Sequence, residues 1–333
     1  MLAVSIIILA ASNLFIGPVR IPLSKTISIL CGEDCGNAVW RFIVLESRLP
    51  QTVTAMLCGA ALGVCGLLLQ TVFRNPLADP SILGISSGAA LGAALVTLTF
   101  CSSTLLVGLT VIGQMAGTVA AAFIGAMSVA ALVLSLATKI KSHVLVLIVG
   151  IMAGYLTSSA ITILSFFSSE EGIRNYTFWG MGSYSGVALH QCPLFAALVG
   201  TGIIAAVLIT KPLGVMLLGE TYAESLGINP QRLRNTILTI VCVLSATTTA
   251  FCGPVSFIGL AVPHLTRMLL RTDDYRQLLP CTLLMGSAVS LMCNFVCNLP
   301  QTGFTLPLNA VTPLVGAPVV LYIIIRRRRQ QIE

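Results

Sequence analysis

The chain has 333 residues, 56% of them hydrophobic and only 9% charged, with a formal net charge of +7. A soluble globular domain carries about 25% charged residues, so this composition cannot clothe a water-facing surface. A bilayer wants an apolar exterior, and the mean hydropathy of +0.97 fits one. The basic residues sit in short gaps between apolar runs and in a terminal cluster, Arg326 to Arg329. That is the pattern of cytoplasmic loops. No basic stripe with interleaved aromatics is present, so no nucleic acid is expected as a partner.

A helical span needs about 20 mostly apolar residues. In chain order such runs fall at roughly 1–16, 50–73, 82–100, 105–137, 144–167, 191–210, 235–252, 277–297 and 306–325. The first starts at Met1 without a basic leader or a small-residue cleavage site, and reads as a retained span, not a signal peptide. A shorter run at about 255–270 is broken by Pro254 and Pro263 and still spans if neighbours bury its free backbone groups. The expectation is therefore an all-α membrane protein, a single transmembrane domain over 1–333 with about ten helices in a compact bundle. Both termini then lie in the cytoplasm.

Charge placement agrees with that count. With ten spans, 13 of the 18 basic residues face the cytoplasm, and four of the five outer ones (Arg20, Lys25, Arg41 and Arg48) share the first long loop. Dropping the short run would put Arg267, Arg271 and Arg276 outside. Glycines recur four apart at Gly59/Gly63, Gly84/Gly88/Gly92, Gly113/Gly117 and Gly150/Gly154, a spacing that lets helix backbones approach closely. Most of the 11 cysteines lie inside apolar runs and act as small hydrophobes. Only Cys31 and Cys35 share a polar loop, where a disulfide and two separate thiols are both open readings.

Three stretches are richer than connecting loops need to be. In Arg74 to Pro80, two prolines end one span and restart the next, and Asn75 and Asp79 can cap freed backbone groups. With Asn75, Pro76, Ser86 and Ser87, this reads either as a broken helix beside a transport path or as an ordinary cytoplasmic turn. In Leu218 to Pro230, Glu220 to Leu226 can form a short helix stopped by Gly227, with Pro230 opening another. Such a hairpin suits docking into a groove on a soluble partner, with Ala223 and Gly227 as a small-residue face. In Gly253 to Arg267, Gly253, Gly259 and Pro263 break an apolar segment. His264 is an ionisable group near membrane depth, which reads either as functional or, the favoured reading, as structural: a ring that caps the helix end or meets a carbonyl.

What is missing narrows the function. There is no Gly-rich phosphate loop, so ATP is not hydrolysed by this chain. No Asp, Glu, Lys or Arg sits centrally in a span, as an ion-coupled carrier's relay requires. No metal-ligand cluster and no nucleophile with a placed base is visible, so neither an enzyme nor a bound cofactor is expected.

A series of motifs runs in order through about 45–325: Arg48-Leu49-Pro50, Gly59 to Gly63 with Gln70, Phe73 to Pro80, Leu83 to Gly88, Leu218-Gly219-Glu220, Leu226-Gly227-Ile228, Gly253, Phe257 to Leu260, Val262-Pro263-His264, Arg267, Leu279-Pro280, Leu306-Pro307, Thr312 and Gly316 to Pro318. On these residues the chain resembles permease subunits of the FecCD/BtuC type, from ATP-binding-cassette importers of ferric siderophores, haem and cobalamin. The resemblance implies the type II importer permease fold in the inner (plasma) membrane. It implies a homodimer with a path at the subunit interface, two cytoplasmic ATP-binding subunits and an extracytoplasmic binding protein. It implies that Gly219, Glu220, Ala223, Leu226 and Gly227 couple to the ATPase. By the same likeness Arg48 meets the binding protein, and His143 and Val144 lie at a cytoplasmic gate. The sequence departs from relatives at Gln51 and Asn298, where arginine is frequent; Arg41 or Arg174 are candidates to stand in. A secondary carrier independent of an ATPase is the alternative.

Overall fold

The computed structural model describes residues 1–33, 36–99, 111–139, 143–216, 219–299 and 305–330, without the side chains of 111–115, 139, 143–144, 220 and 322–330. The described residues are helical and contain no strand. In order the helices are α1 Leu2–Phe15, α2 Leu23–Leu30, α3 Ala38–Phe42, α4 Leu49–Val72, α5 Ile85–Thr99, α6 Val111–Lys139, α7 His143–Phe166 and α8 Glu170–Gly180. Then follow α9 Cys192–Leu208, α10 Thr210–Met216, α11 Glu220–Ser225, α12 Pro230–Cys252, α13 Ile258–Leu270, α14 Tyr275–Cys297 and α15 Leu308–Gln330. Among the described residues six helical stretches are long and apolar enough to cross a membrane: Ala38–Val72, Ala116–Thr138, Leu145–Phe166, Leu189–Leu208, Pro230–Cys252 and Tyr275–Cys297. The shorter apolar helices α1, α5, α13 and the Leu308–Leu321 part of α15 fall on the four remaining runs of the sequence.

The first long loop is more structured than hydropathy suggests. It holds α2, α3 and a π-helical turn, Ile43–Arg48, that runs straight into α4. A cap visible in the sequence starts α3: Asn37 accepts hydrogen bonds from the Val39 and Trp40 amides. Ser169 does the same for α8 through the Gly172 amide, with Glu170 and Glu171 in the favourable first turn.

Helix α4 is the hub, buried along nearly its whole length, because it is lined with small residues. A Cβ on Gly59 would fall on the Gly286 carbonyl of α14, and one on Gly66 would fall on the Gly259 carbonyl of α13. Backbones at such distances pack by van der Waals contact and Cα–H···O contacts, the dominant forces where lipid removes the hydrophobic drive between helices. A second interlocked group forms from α5, α6 and α7. Gly88 abuts Gly125, Gly92 abuts Ala121, and Gly84, at φ +74°, sits against the Gly150 carbonyl. Helix α12 packs against both groups. By contrast α7 leaves Ile148, Met152, Tyr155 and Leu156 exposed on the described chain.

Candidate functional site

On the side expected to be cytoplasmic, α10, α11 and the start of α12 form a compact hairpin. Gly219, at φ +120°, precedes α11, and Gly227, at φ +81°, follows it; L side chains rarely adopt either conformation. The Ile228 amide donates back to the Ala223 carbonyl at 3.0 Å. The Asn229 side chain accepts from the Arg232 amide at 3.0 Å, and Pro230 opens α12. Ala223 is fully buried within the chain, whereas Tyr222 and Leu226, one turn apart, are 49% and 56% exposed. This corrects the expectation of an Ala223–Gly227 contact face: Gly227 is exposed but Ala223 points inward, so the outward apolar pair is Tyr222 and Leu226. The Glu220 side chain lies outside the described residues.

The connection between α4 and α5 and the start of α13 meet each other. Asn75 Oδ1 accepts from the Leu77 amide at 2.9 Å, a local turn. His264 is buried, and its Nε2–H donates to the Pro76 carbonyl at 2.8 Å. Proline at 263 carries no N–H, so the carbonyl four residues earlier, on Gly259, is released from the helix ladder and packs onto Gly66. Asp79 lies beside Gly259, partly exposed, with a buried Oδ1 that accepts no hydrogen bond among the described residues. Burial pushes its carboxyl up from the ordinary 3.8 to about 7, with hydrogen bonding from the Ser81 backbone opposing the shift. Ser86 Oγ lies 3.4 Å from Thr249 Oγ1 of α12, and Ser87 faces Gly154 of α7. The backbones of His143 and Val144 open α7, and their side chains lie outside the described residues.

The second broken segment, 253–257, is held by a residue the motif reading does not single out. Asn309, at the start of α15, donates through Nδ2 to the Pro254 carbonyl at 2.6 Å and to the Gly180 carbonyl at 3.3 Å. Its Oδ1 accepts from the Ser256 amide at 3.1 Å. One amide side chain thus satisfies backbone groups that no helix ladder reaches. Gly253, at φ +73°, lets the chain turn within 2.5 Å (Cβ position) of the Trp179 carbonyl.

At the opposite end of the bundle a cavity of about 530 Å³ opens among α1, α4, α14 and the segment after α8. Arg48 lines it but is spent: the guanidinium donates to the carbonyls of Leu14 (2.8 Å), Phe15 (3.1 Å) and Val19 (2.5 Å) and is 5% exposed. Amides line the floor. Gln51 Nε2 donates to Asn294 Oδ1 at 3.1 Å, Asn294 Nδ2 to Asn13 Oδ1 at 2.8 Å, and Asn298 Nδ2 to the Asn294 carbonyl at 2.9 Å.

The chain matches the FecCD transport family over residues 4–326. It belongs to that family. The hemin transport system permease protein HmuU of Yersinia pestis is 31% identical over 99% of this chain and 96% of that protein. The vitamin B12 import system permease protein BtuC of Salmonella paratyphi A is 32% identical over 92% of this chain and 93% of that protein. A metal-chelate type ABC transporter solved in an inward-facing conformation matches with a TM-score of 0.83 and 27% identity, covering 98% of this chain and 97% of the other.

Within this FecCD frame the chain is a multi-pass membrane permease, and transport, not catalysis, is its family trait. The expected arginine contact with a binding protein needs correction, because Arg48 is buried and caps the carbonyl end of α1. Gln51 and Asn298, the two departures from the family resemblance, belong to the amide cluster. Arg41 and Arg174 stay exposed, the latter 5.6 Å from the Phe178 ring centroid. Cys31 is exposed, and Cys35 lies outside the described residues. The sequence held a signal for Asn309, a polar amide at the mouth of the last apolar run, but nothing local ties it to residues 53 to 129 positions away.

Proposed function

We propose that this chain is the membrane-spanning subunit of an ATP-binding-cassette importer for a metal chelate of the ferric siderophore class. In this reading two copies span the inner membrane, two cytoplasmic ATP-binding subunits drive them, and an extracytoplasmic binding protein delivers the cargo. Family membership supports the permease role. Hemin and vitamin B12, named for two relatives, are both bulky metal macrocycles and support a chelate as the cargo class.

The observation that carries the reading is the α11 hairpin. It is braced by two glycines at positive φ, and it exposes Tyr222 and Leu226 on a connection that needs no apolar surface. A short helix with an apolar pair one turn apart is the kind of knob that seats in a groove of a soluble partner. Replacing both residues, Tyr222→Asp with Leu226→Asp, is expected to abolish co-purification of the ATP-binding subunit while the permease still inserts. Retention of that subunit at the wild-type level would overturn the assignment. The competing carrier mechanism makes the opposite forecast: ferric siderophore uptake that survives deletion of the ATP-binding subunit and collapses with the ion gradient.

A further inference from the structure

Two side chains on the first turns of α12 converge on one carbonyl of α6. Gln231 Nε2 donates to the Ala137 oxygen at 3.1 Å, and Arg234 donates to the same oxygen through an Nη2–H at 2.5 Å. Residues 231 and 234 are three apart and so share a helix face. Arg234 is 4% exposed and Ala137 is fully buried. Helix α6 is described as far as Lys139, so the Ala137 carbonyl lies in its last described turn.

The two bonds tie α12 to α6, and both donors come from the stem of the α11 hairpin, only a few residues beyond it. That stem has little slack. The Ile228 amide is tied to the Ala223 carbonyl, and the Asn229 side chain to the Arg232 amide. On the far side α6 is interlocked with α5 through Gly88 against Gly125 and Gly92 against Ala121, contacts that have no flexible side chain between the two backbones. Displacement of the hairpin therefore has a stiff route: α11, the first turns of α12, the Ala137 carbonyl, α6, then α5 with Ser86 and Ser87.

We infer that Arg234 and Gln231 are positioning residues for transport, the bolt that makes α6 follow the coupling hairpin. The inference rests on the reading of α11 as the ATPase contact. Neither residue touches cargo; both act through α6.

The test uses the assembled permease–ATPase complex in lipid nanodiscs, with Cys31, the exposed thiol among the described residues, and also Cys35 and Cys101 replaced by serine. Spin labels go on Ser225→Cys in α11 and Ser128→Cys in α6, both exposed positions. Distances are read without nucleotide and with ADP–vanadate. The expected result is an α11–α6 distance that stays fixed on trapping while the α11 distance to a label on exposed Met292→Cys of α14 shifts. In Gln231→Leu with Arg234→Gln the α11–α6 distance shifts too, although the ATP-binding subunit still co-purifies and hydrolyses ATP. Arg234→Lys, which keeps a cationic donor, restores the fixed distance, a result that loss of packing alone would not give. Should the double variant fail to insert, Gln231→Leu alone is read, with partial loss of the fixed distance expected. A wild-type α11–α6 distance that shifts on trapping, or a variant distance that does not, overturns the inference. Failure of the wild-type chain to retain the ATP-binding subunit overturns the coupling reading instead.

Discussion

Single side chains do two kinds of work in this permease, and only one kind is visible in sequence. Residues that shape the local backbone are legible: Asn75 turns its own chain, Asn229 and Ser169 cap helices, and Gly219 and Gly227 bracket α11. Residues that bridge distant segments are not, because nothing near Asn309, Arg234 or Asn13 announces a carbonyl many residues away. Arg48 shows why position needs partners: the resemblance implies a contact with a binding protein, whereas the guanidinium donates to three carbonyls at the end of α1 and just beyond it. Asp79 carries a forecast of its own. Its carboxyl is raised to about 7 from 3.8, so the folded chain holds the proton more tightly than the unfolded one. Folding stability therefore falls as pH rises from about 4 to about 7, and the full cost of burying the charge is felt above that window. Asp79→Asn removes that cost. Thermal unfolding in detergent at pH 8 is expected to show the variant more stable by on the order of 1–2 kcal/mol, once partial solvent exposure is allowed for. The gap should close toward pH 4, and a constant gap across pH would contradict the assignment.

At the scale of helices, hydropathy found every long apolar element but missed α2, α3, the π turn and α8, whose polar residues give no apolar run. Ser169-Glu170-Glu171 is a capping start for α8, but a cap alone does not say that a helix follows in a stretch without an apolar run. The glycine spacing was legible as close packing, yet it could not say which glycine meets which helix. Structure separates them sharply. A Cβ at Gly66 lands on the Gly259 carbonyl, whereas one at Gly117 on α6 meets nothing within 4 Å among the described residues. The same chemical change should thus have opposite signs. Gly66→Ala forces α4 and α13 apart and is expected to destabilise by about 1–3 kcal/mol or more. Gly117→Ala gains helix propensity and is expected to be neutral or to stabilise by about 0.5–1 kcal/mol. Thermal midpoints of the two purified variants in one detergent decide it, and equal shifts would sink the packing argument.

For the whole molecule, the broken helix α13 decides the topology. It has only 13 residues, too few to cross about 30 Å of hydrocarbon at 1.5 Å each. A crossing here is expected to use the non-helical stretch 253–257 as well, and such backbone is tolerated at membrane depth only when its polar groups are met. Asn309 of α15 meets the Pro254 carbonyl and the Ser256 amide, Gly66 receives the Gly259 carbonyl, and α4 and α14 flank the helix. These partners support the expectation that the interrupted segment is a span. Charge supplies the independent argument, since Arg267, Arg271 and Arg276 cluster at its far end and cytoplasmic loops collect such residues. The exposed Asp273, between α13 and α14, is therefore expected on the same side as Ser225 of the α11 hairpin. In a background carrying Cys31→Ser, Cys35→Ser and Cys101→Ser, a membrane-impermeant thiol reagent should label Asp273→Cys and Ser225→Cys only in inside-out vesicles. Ser185→Cys, exposed after α8, should react only in right-side-out ones. Labelling of Asp273→Cys from the outer side would mean that α13 turns back without crossing. The count would then fall to nine and the two termini would lie on opposite faces. That arrangement would leave the arginine cluster outside, against the same charge bias that orients the rest of the chain.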